Sequence, residues 1–289
     1  MAGRRSVKSL SIGRPPNAQK PKAALSSQAT RTLIRSHHQL NKQLETAKSK
    51  GDNAQAVDLQ KRIDDLGGLK SYQQASIQGQ ASDRGGDSSL VLMKWLEPLS
   101  LPLKESSLKL RLFEVGALSV NNACSRSDVF DVTRIDLNSQ SDGILQQDFM
   151  QRPLPKSNAE KFDIISLSLV LNYVPDAVAR GEMLRRTCQF LEISRKIEMT
   201  AEVRTVFPAL FLVLPAPCVA NSRFFNEATL TAIMQSLGYG LLQRKQTAKL
   251  VYHLWHWNGE AAGRKAKFSK KEVNPGVTRN NFSVVLKPA

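Results

Sequence analysis

The chain has 289 residues, 41% of them hydrophobic and 23% charged, enough to bury a sizeable core, which excludes wholesale disorder. Its three cysteines, Cys124, Cys188 and Cys218, show no CxxC spacing, which argues against a disulfide framework or a structural zinc site. The longest apolar run, Phe207 to Ala220, is broken by Pro208, Pro215 and Pro217 and falls short of the ~20 residues a membrane helix needs. A soluble, intracellular protein with no membrane association is expected.

The 41 Lys and Arg against 25 Asp and Glu leave a formal net charge of +16. Residues 1–50 carry a balance of +10 and residues 241–289 a balance of +8, while the body between is close to neutral. A neutral body with a basic segment at each end suits a polyanion such as nucleic acid, because each phosphate neutralised releases condensed counterions.

Residues 1–25, with Pro15, Pro16 and Pro21 and few large apolar side chains, are expected to form a disordered basic tail. Arg4-Arg5 and the Lys20-Pro-Lys22 group resemble a nuclear or nucleolar address, which the early prolines favour over an amphipathic mitochondrial presequence. Residues 26–97 are expected to form an N-terminal helical region. Leu33, Ile34, Leu40, Leu44 and Ala47 recur at helical spacing up to Gly51-Asp52, and Val57, Leu59, Ile63 and Leu66 continue in a second helix up to Gly67-Gly68. Asp87-Ser88-Ser89 can cap a further helix ending at Pro98.

From residue 98 to 289 short apolar strands alternate with helices. Strands are expected at Leu108–Val115, Val129–Leu137, Leu145–Phe149, Phe162–Val170 and Ala209–Pro215, with helices at 176–191 and Asn226–Leu237. Phe162–Val170 reads as a predominantly apolar run, as a central parallel strand covered on both faces requires. Lys249–Trp257 and Phe282–Leu286 are expected to close the sheet as an antiparallel pair. The alternation predicts an α/β doubly wound fold.

Such sheets bind ligands beyond the carboxyl ends of their strands. Glu114 and Gly116 close strand one, Asp136 closes strand two, Asp148 follows strand three, and Ser168, Asn172 and Tyr173 follow strand four. A glycine after strand one lets backbone approach a ligand. A carboxylate at Asp136 suits a ribose diol, one at Asp148 an adenine amino group, and the polar groups after strand four lie on the side of the transferred group. The turn after strand one holds one glycine, with Leu118 and Val120 where a glycine-rich turn would repeat; GxGxxG, a Walker lysine loop, GxSxG and HExxH are all absent. His253 and His256, three apart on a strand, point to opposite faces, so no metal site is expected. Tyr252, Trp255 and Trp257 fit either core or a base-stacking surface.

The segments YQQASIQGQASDRGGDSS (72–89), LRLFEVGALSVNN (110–122), FDVTRIDLNS (130–139), QQDFMQRPLP (146–155), FDIISLSLVLNYVPD (162–176) and LFLVLPAPCVANSRF (210–224) resemble the fungal nucleolar 25S rRNA adenine-N1-methyltransferase family, relatives of the animal S-adenosylmethionine sensor. The resemblance implies a Rossmann-like, seven-stranded class I methyltransferase sheet, S-adenosyl-L-methionine as cofactor, and large-subunit ribosomal RNA or a pre-ribosomal particle as partner, in the nucleus and nucleolus. Carried over by position, Gly116 and Asp136 would contact the cofactor, with Glu114, Asp148 and Ser168 beside them, and Asn172 and Tyr173 would read and stack the target adenine. A monomer is expected. Two other functions fit the resemblance: a cofactor-sensing interaction protein and a cofactor-free RNA-binding scaffold. The polar stretch 192–206 is expected to be an insertion or a loop.

Overall fold

The computed structural model describes residues 26–68, 71, 74, 86–105, 109–139, 141–194, 199–259 and 266–288. The basic tail and its address, and the greater part of the segment 72–85, lie outside the described residues.

Two helices open the described chain, α1 (Ser27–Lys50) and α2 (Asn53–Asp65), each started by a side chain that accepts an otherwise orphaned amide: Ser26 from Ala29 and Asp52 from Gln55. Gly51 takes the left-handed conformation between them, φ 71°, and its N–H returns to Ala47 and Lys48. Leu40, Leu44 and Ala47 of α1 meet Leu59 and Ile63 of α2 in a small core of their own, as the spacing predicts.

Helix α3 (Ser89–Leu96) stops just before Pro98, as expected, but the chain does not leave the helical path there. The path runs on through a 3-10 turn, Glu97–Leu99, into α4 (Ser100–Glu105). Pro98 sits in the first turn of that segment, where the amide it lacks has no intrahelical partner to lose. Leu92, Leu96, Leu99 and Leu103 enter the same core as Leu110, Leu112 and Phe211 of the sheet.

Seven strands follow: β1 (Leu110–Val115), β2 (Phe130–Asp136), β3 (Leu145–Gln146), β4 (Ile164–Ser168), β5 (Ala209–Pro215), β6 (Tyr239–Gln246) and β7 (Leu250–Trp257), in the spatial order β3-β2-β1-β4-β5-β7-β6. The first five are parallel, and β7 enters antiparallel between β5 and β6. This is the Rossmann-like class I methyltransferase sheet that the resemblance implies. Its switch point lies where the chain leaves β1 for β2 on one side and β4 adjoins β1 on the other. Helices α5 (Ala177–Phe190), α6 (Ala201–Arg204), α7 (Ala216–Ala220) and α8 (Glu227–Ser236) complete the described elements.

Three expectations change. Phe282–Leu286 does not pair with β7; β6 does, joined to it by a tight turn at Thr247–Lys249. Phe282–Leu286 instead lies as an extended strap over α5, with Val285 N–H donating to Ala177 O at 2.8 Å and a single bridge between Phe268 and Leu286. The third strand stops at Gln146 because Asp148 turns the chain, its Oδ1 accepting from Met150 N. In the polar stretch 192–206, Thr200 caps the short α6, and Met199 and Val203 are buried against Phe207 and Phe211; residues 195–198 lie outside the described set. Tyr252 and Trp255 are core residues, 5% and 0% exposed, so neither ring is available to a base.

Candidate active site

Strand register assembles the site. Val115 pairs with Ile135 on one side and Leu167 on the other, so the next residues, Gly116, Asp136 and Ser168, form one row at the carboxyl edge of β1, β2 and β4. Asp148 follows two residues after Gln146, the partner of Asp136. Four of the residues expected at the site are thus brought to one end of the sheet.

Gly116 adopts φ +75°, a left-handed conformation that side-chain-bearing residues avoid. The turn sends the N–H groups of both Gly116 and Ala117 to the single carbonyl of Ile135, at 2.8 and 3.0 Å, tying the exit of β1 to that of β2. A Cβ at Gly116 would stand 2.5 Å from Cγ2 of Val170. The glycine therefore serves close packing of the β1 exit on the β4 exit, in addition to any approach of a ligand.

Glu114 does not face open solvent. Its Oε1 accepts from Asn122 Nδ2 at 2.7 Å, and its Oε2 lies 3.9 Å from Arg134 Nε without a hydrogen bond. Asn122 Oδ1 in turn accepts from the amide and hydroxyl of Ser125, whose Oγ receives Arg134 Nη2 at 2.6 Å. Burial raises the Glu114 pKa above its usual range against the pull of Asn122 and Arg134, with the Asp87 carboxylate adding to the rise. Glu114 is the inner anchor of the loop 117–125.

Asp136 is half-buried, with Oδ1 accepting from Asn138 N at 2.8 Å. Asp148 is half-buried in its own turn. After β4, Leu169 takes φ 59°, rare for a branched side chain, and Tyr173 N–H closes a turn on Val170 O at 2.9 Å. That turn carries Asn172 and Tyr173, both half-buried. Asn172 Oδ1 is enclosed and has no hydrogen-bond partner among the described residues. An enclosed amide oxygen without a donor costs about 1–3 kcal/mol, a cost a ligand amino group would remove.

The segment before α3 completes the mouth. Asp87 Oδ1 accepts from the amide and hydroxyl of Ser89, its Oδ2 accepts from Ala123 N at 2.6 Å, and Ser88 Oγ meets Ser168 Oγ at 2.7 Å. Nothing in the residue pattern marks Asp87, Ser88, Asn122, Arg134 and Val170 as site residues. Each lies within a family-like stretch, and Asp87-Ser88-Ser89 reads locally as a helix cap, but neither signal places them at the site.

Other chemistries find no support. His253 Nε2 lies 2.7 Å from Glu227 Oε1 on α8, and His256 Nδ1 lies 3.2 Å from Val206 O, so the two imidazoles serve different elements. Burial pushes the thiols of Cys124 and Cys218 up to about 12 and that of Cys188 up to about 11, which leaves them unreactive near neutrality. A cleft of about 440 Å³ is lined by Arg111, Asp131, Arg152, Lys161 and Phe162 among others, and neither Gly116 nor Asp136 is part of its lining.

The acceptor set at the carboxyl edge fits the hydroxyl and amino donors of a nucleoside: two half-buried carboxylates on neighbouring strand exits, and an enclosed amide oxygen beside an aromatic side chain after β4. Among solved structures, an O-methyltransferase family protein from Burkholderia thailandensis aligns with 65% of this chain and 60% of its own at 8% identity and TM-score 0.42, and a SAM-dependent methyltransferase from Aquifex aeolicus with 58% and 98% at 15% identity and TM-score 0.31. A Saccharomyces cerevisiae protein named 25S rRNA (adenine(2142)-N(1))-methyltransferase is 38% identical over 227 residues, 78% of this chain; the match spans 62% of that relative's length. A Schizosaccharomyces pombe protein named 25S rRNA adenine-N(1) methyltransferase is 36% identical over 257 residues, 87% of this chain and 89% of its own. The family model described as 25S rRNA (adenine(2142)-N(1))-methyltransferase, Bmt2, matches residues 57–284, and the chain belongs to that family.

Proposed function

We propose that this chain is an S-adenosylmethionine-dependent methyltransferase acting on N1 of an adenine in large-subunit (25S) ribosomal RNA. The observation that carries the reading is the row Gly116, Asp136, Ser168 at the switch point, with the enclosed Asn172 Oδ1 beside it, in a chain of this family.

Asp136 would hold the ribose hydroxyls and Asp148 the adenine amino group of the cofactor. When bound, the cofactor would supply an electrophilic methyl group on a sulfonium, suited to the in-plane lone pair of adenine N1. N1 carries no proton, so the chain need not provide a general base. Its task is alignment, which for a well-oriented pair is worth up to about 7–11 kcal/mol of barrier. Asn172 Oδ1 would accept from the exocyclic amino group of the target adenine, leaving N1 of the same edge free toward the methyl group. Tyr173 would stack on the base, which must be unpaired or flipped because N1 lies on its pairing edge. A nucleolar location follows from this substrate and from the basic address in residues 1–25.

The test is incubation with labelled cofactor and ribosomal RNA from a strain lacking the protein, followed by nucleoside analysis. Label in N1-methyladenosine of the large-subunit RNA is expected, and Asn172→Ala is expected to slow transfer while leaving cofactor affinity intact. Cofactor binding without any label in RNA would overturn the assignment.

A further inference from the structure

Arg180, near the start of α5, is a cation buried to 7% exposure, and its donors go to backbone carbonyls rather than to a carboxylate. Nε donates to Val174 O at 2.8 Å and Nη2 to Pro175 O at 3.3 Å, the two residues that directly follow Tyr173. Nη1 donates to Ser283 O at 2.7 Å in the C-terminal strap, and the guanidinium lies 4.6 Å from the Phe282 ring centroid. One planar fork thus joins the turn after β4 to a segment 103 residues further along the chain.

The strap is itself anchored to the segment that follows β5. Ser222 Oγ donates to Phe282 O at 2.5 Å, the Phe225 ring meets Phe282 edge-on at 5.3 Å between centroids, and Asn280 Nδ2 donates to Pro217 O and Asn221 O at 2.7 and 2.8 Å. Arg180 is the junction through which this anchored segment reaches the Asn172 turn. The carboxylates expected to hold the cofactor do not share the junction: Asp136 and Asp148 each accept from an amide of their own turn, Asn138 N and Met150 N. Desolvating a cation is costly, and an apolar side chain of similar volume would fill the space without that cost. What the guanidinium alone supplies is a set of directed bonds that fix turn and strap in one geometry.

We propose that Arg180 is a positioning residue for the target adenine, clamping the turn that carries Asn172 and Tyr173 to the C-terminal strap. The clamp deepens, and rests on, the reading of the chain as an adenine-N1-methyltransferase. In that reaction the chain supplies alignment rather than acid–base chemistry, so the place of the Asn172 amide decides the rate. Val174 and Pro175, the residues Arg180 holds, are where the turn would otherwise be free to shift before Asp176 starts α5. The strap therefore belongs to the substrate side of the site although none of its residues was expected there.

The experiment uses the full chain, labelled S-adenosylmethionine and ribosomal RNA from a strain lacking the protein, with amide exchange read by mass spectrometry on the same preparations. Arg180→Lys keeps the charge but offers a single nitrogen in place of the fork. It is expected to lower kcat by about 10- to 100-fold, the scale of a misplacement of about 1 Å, with S-adenosylmethionine affinity unchanged. In the same variant the Tyr173 amide, bonded to Val170 O, should exchange faster while the amides of β4 keep wild-type protection. Combined with Asn172→Ala, the two losses in rate should fall well short of their product, because Arg180 acts through the turn that carries Asn172. Should Arg180→Lys not fold, Phe282→Leu removes the ring beside the guanidinium, keeps its carbonyl partners, and should show the same pattern at about two- to fivefold. Losses that multiply in full, or a folded variant with wild-type rate and exchange, would overturn the clamp. If the wild-type chain itself transfers no methyl group, the enzymatic reading falls, and exchange at the turn alone decides the clamp.

Discussion

Ser88 Oγ and Ser168 Oγ lie 2.7 Å apart across a sequence separation of 80 residues, joining the entry to α3 with the last residue of β4. With the Asp87–Ala123 bond beside it, this contact holds the end of the N-terminal region against the carboxyl end of β4 and the loop that follows β1. A hydrogen bond between two half-buried hydroxyls is worth about 0.5–1.5 kcal/mol. A double-mutant cycle of Ser88→Ala and Ser168→Ala in urea unfolding should return a coupling energy of that size. Additive effects would show that the segment is held by Asp87 alone.

Gly116→Ala meets two obstacles at once. The new Cβ falls 2.5 Å from Val170 Cγ2, and φ +75° strains an alanine whatever the space around it. A loss of about 1–3 kcal/mol in unfolding free energy is expected from a left-handed non-glycine residue with added crowding. Adding Val170→Ala should restore the part due to the clash and leave the backbone part. Full restoration would mean that the glycine answers only to Val170. If calorimetry also shows weaker S-adenosylmethionine binding in the relieved double variant, the backbone turn itself shapes the cofactor site.

The central strands and the order of the site were legible in the residues. FDIISLSLV is predominantly apolar because β4 is covered on both faces, and the acids Asp136 and Asp148 stand at the ends of their strands, where a parallel sheet gathers ligand groups. The outer strand β6 was not legible. YGLLQRKQ is exposed at seven of its eight positions, so no burial pattern marks it, and its leucines Leu241 and Leu242 are 41% and 37% exposed. FSVVL (282–286) looked like its replacement because it is apolar and β-branched, yet those side chains are buried against α5 rather than in a ladder. The contacts of Asp87 and Ser88 were hidden for another reason: their partners are 36 and 80 residues away, and local pattern carries no information about contacts at that range.

Glu114 gives the molecule a pH dependence of defined sign. Burial is the main reason its folded pKa lies above the ordinary 4.5, so the folded chain binds this proton more tightly than the unfolded chain. The associated stability is fully present below the ordinary value and is lost as pH rises through the raised one. Glu114→Gln keeps an amide oxygen for Asn122 and removes the charge. It should therefore exceed the wild type in stability near neutrality, with the difference shrinking as pH falls below about 4.5. Urea unfolding at about pH 4 and pH 7.5 reads both arms. A variant weaker than wild type at neutral pH would show that Arg134, 3.9 Å away, contributes more to the ionised form than burial takes from it.

Gly181 sets propensity against packing. It lies inside α5, where exchanging glycine for alanine ordinarily stabilises a helix by about 1 kcal/mol. A Cβ here would stand 2.0 Å from the carbonyl oxygen of Val285 and 2.9 Å from its carbon, both backbone atoms of the strap. The strap cannot yield locally, because Arg180 Nη1 is bonded to Ser283 O and Val285 N–H to Ala177 O before the contact, and Leu286 exchanges backbone bonds with Phe268 after it. Gly181→Ala should therefore destabilise by about 1–3 kcal/mol, the usual range for overpacking, and should expose the C-terminal segment to limited proteolysis before the sheet unfolds. A Gly181→Ala chain that is more stable than wild type would mean that the strap is only loosely seated, and that the turn after Asn172 takes its support from Arg180 alone.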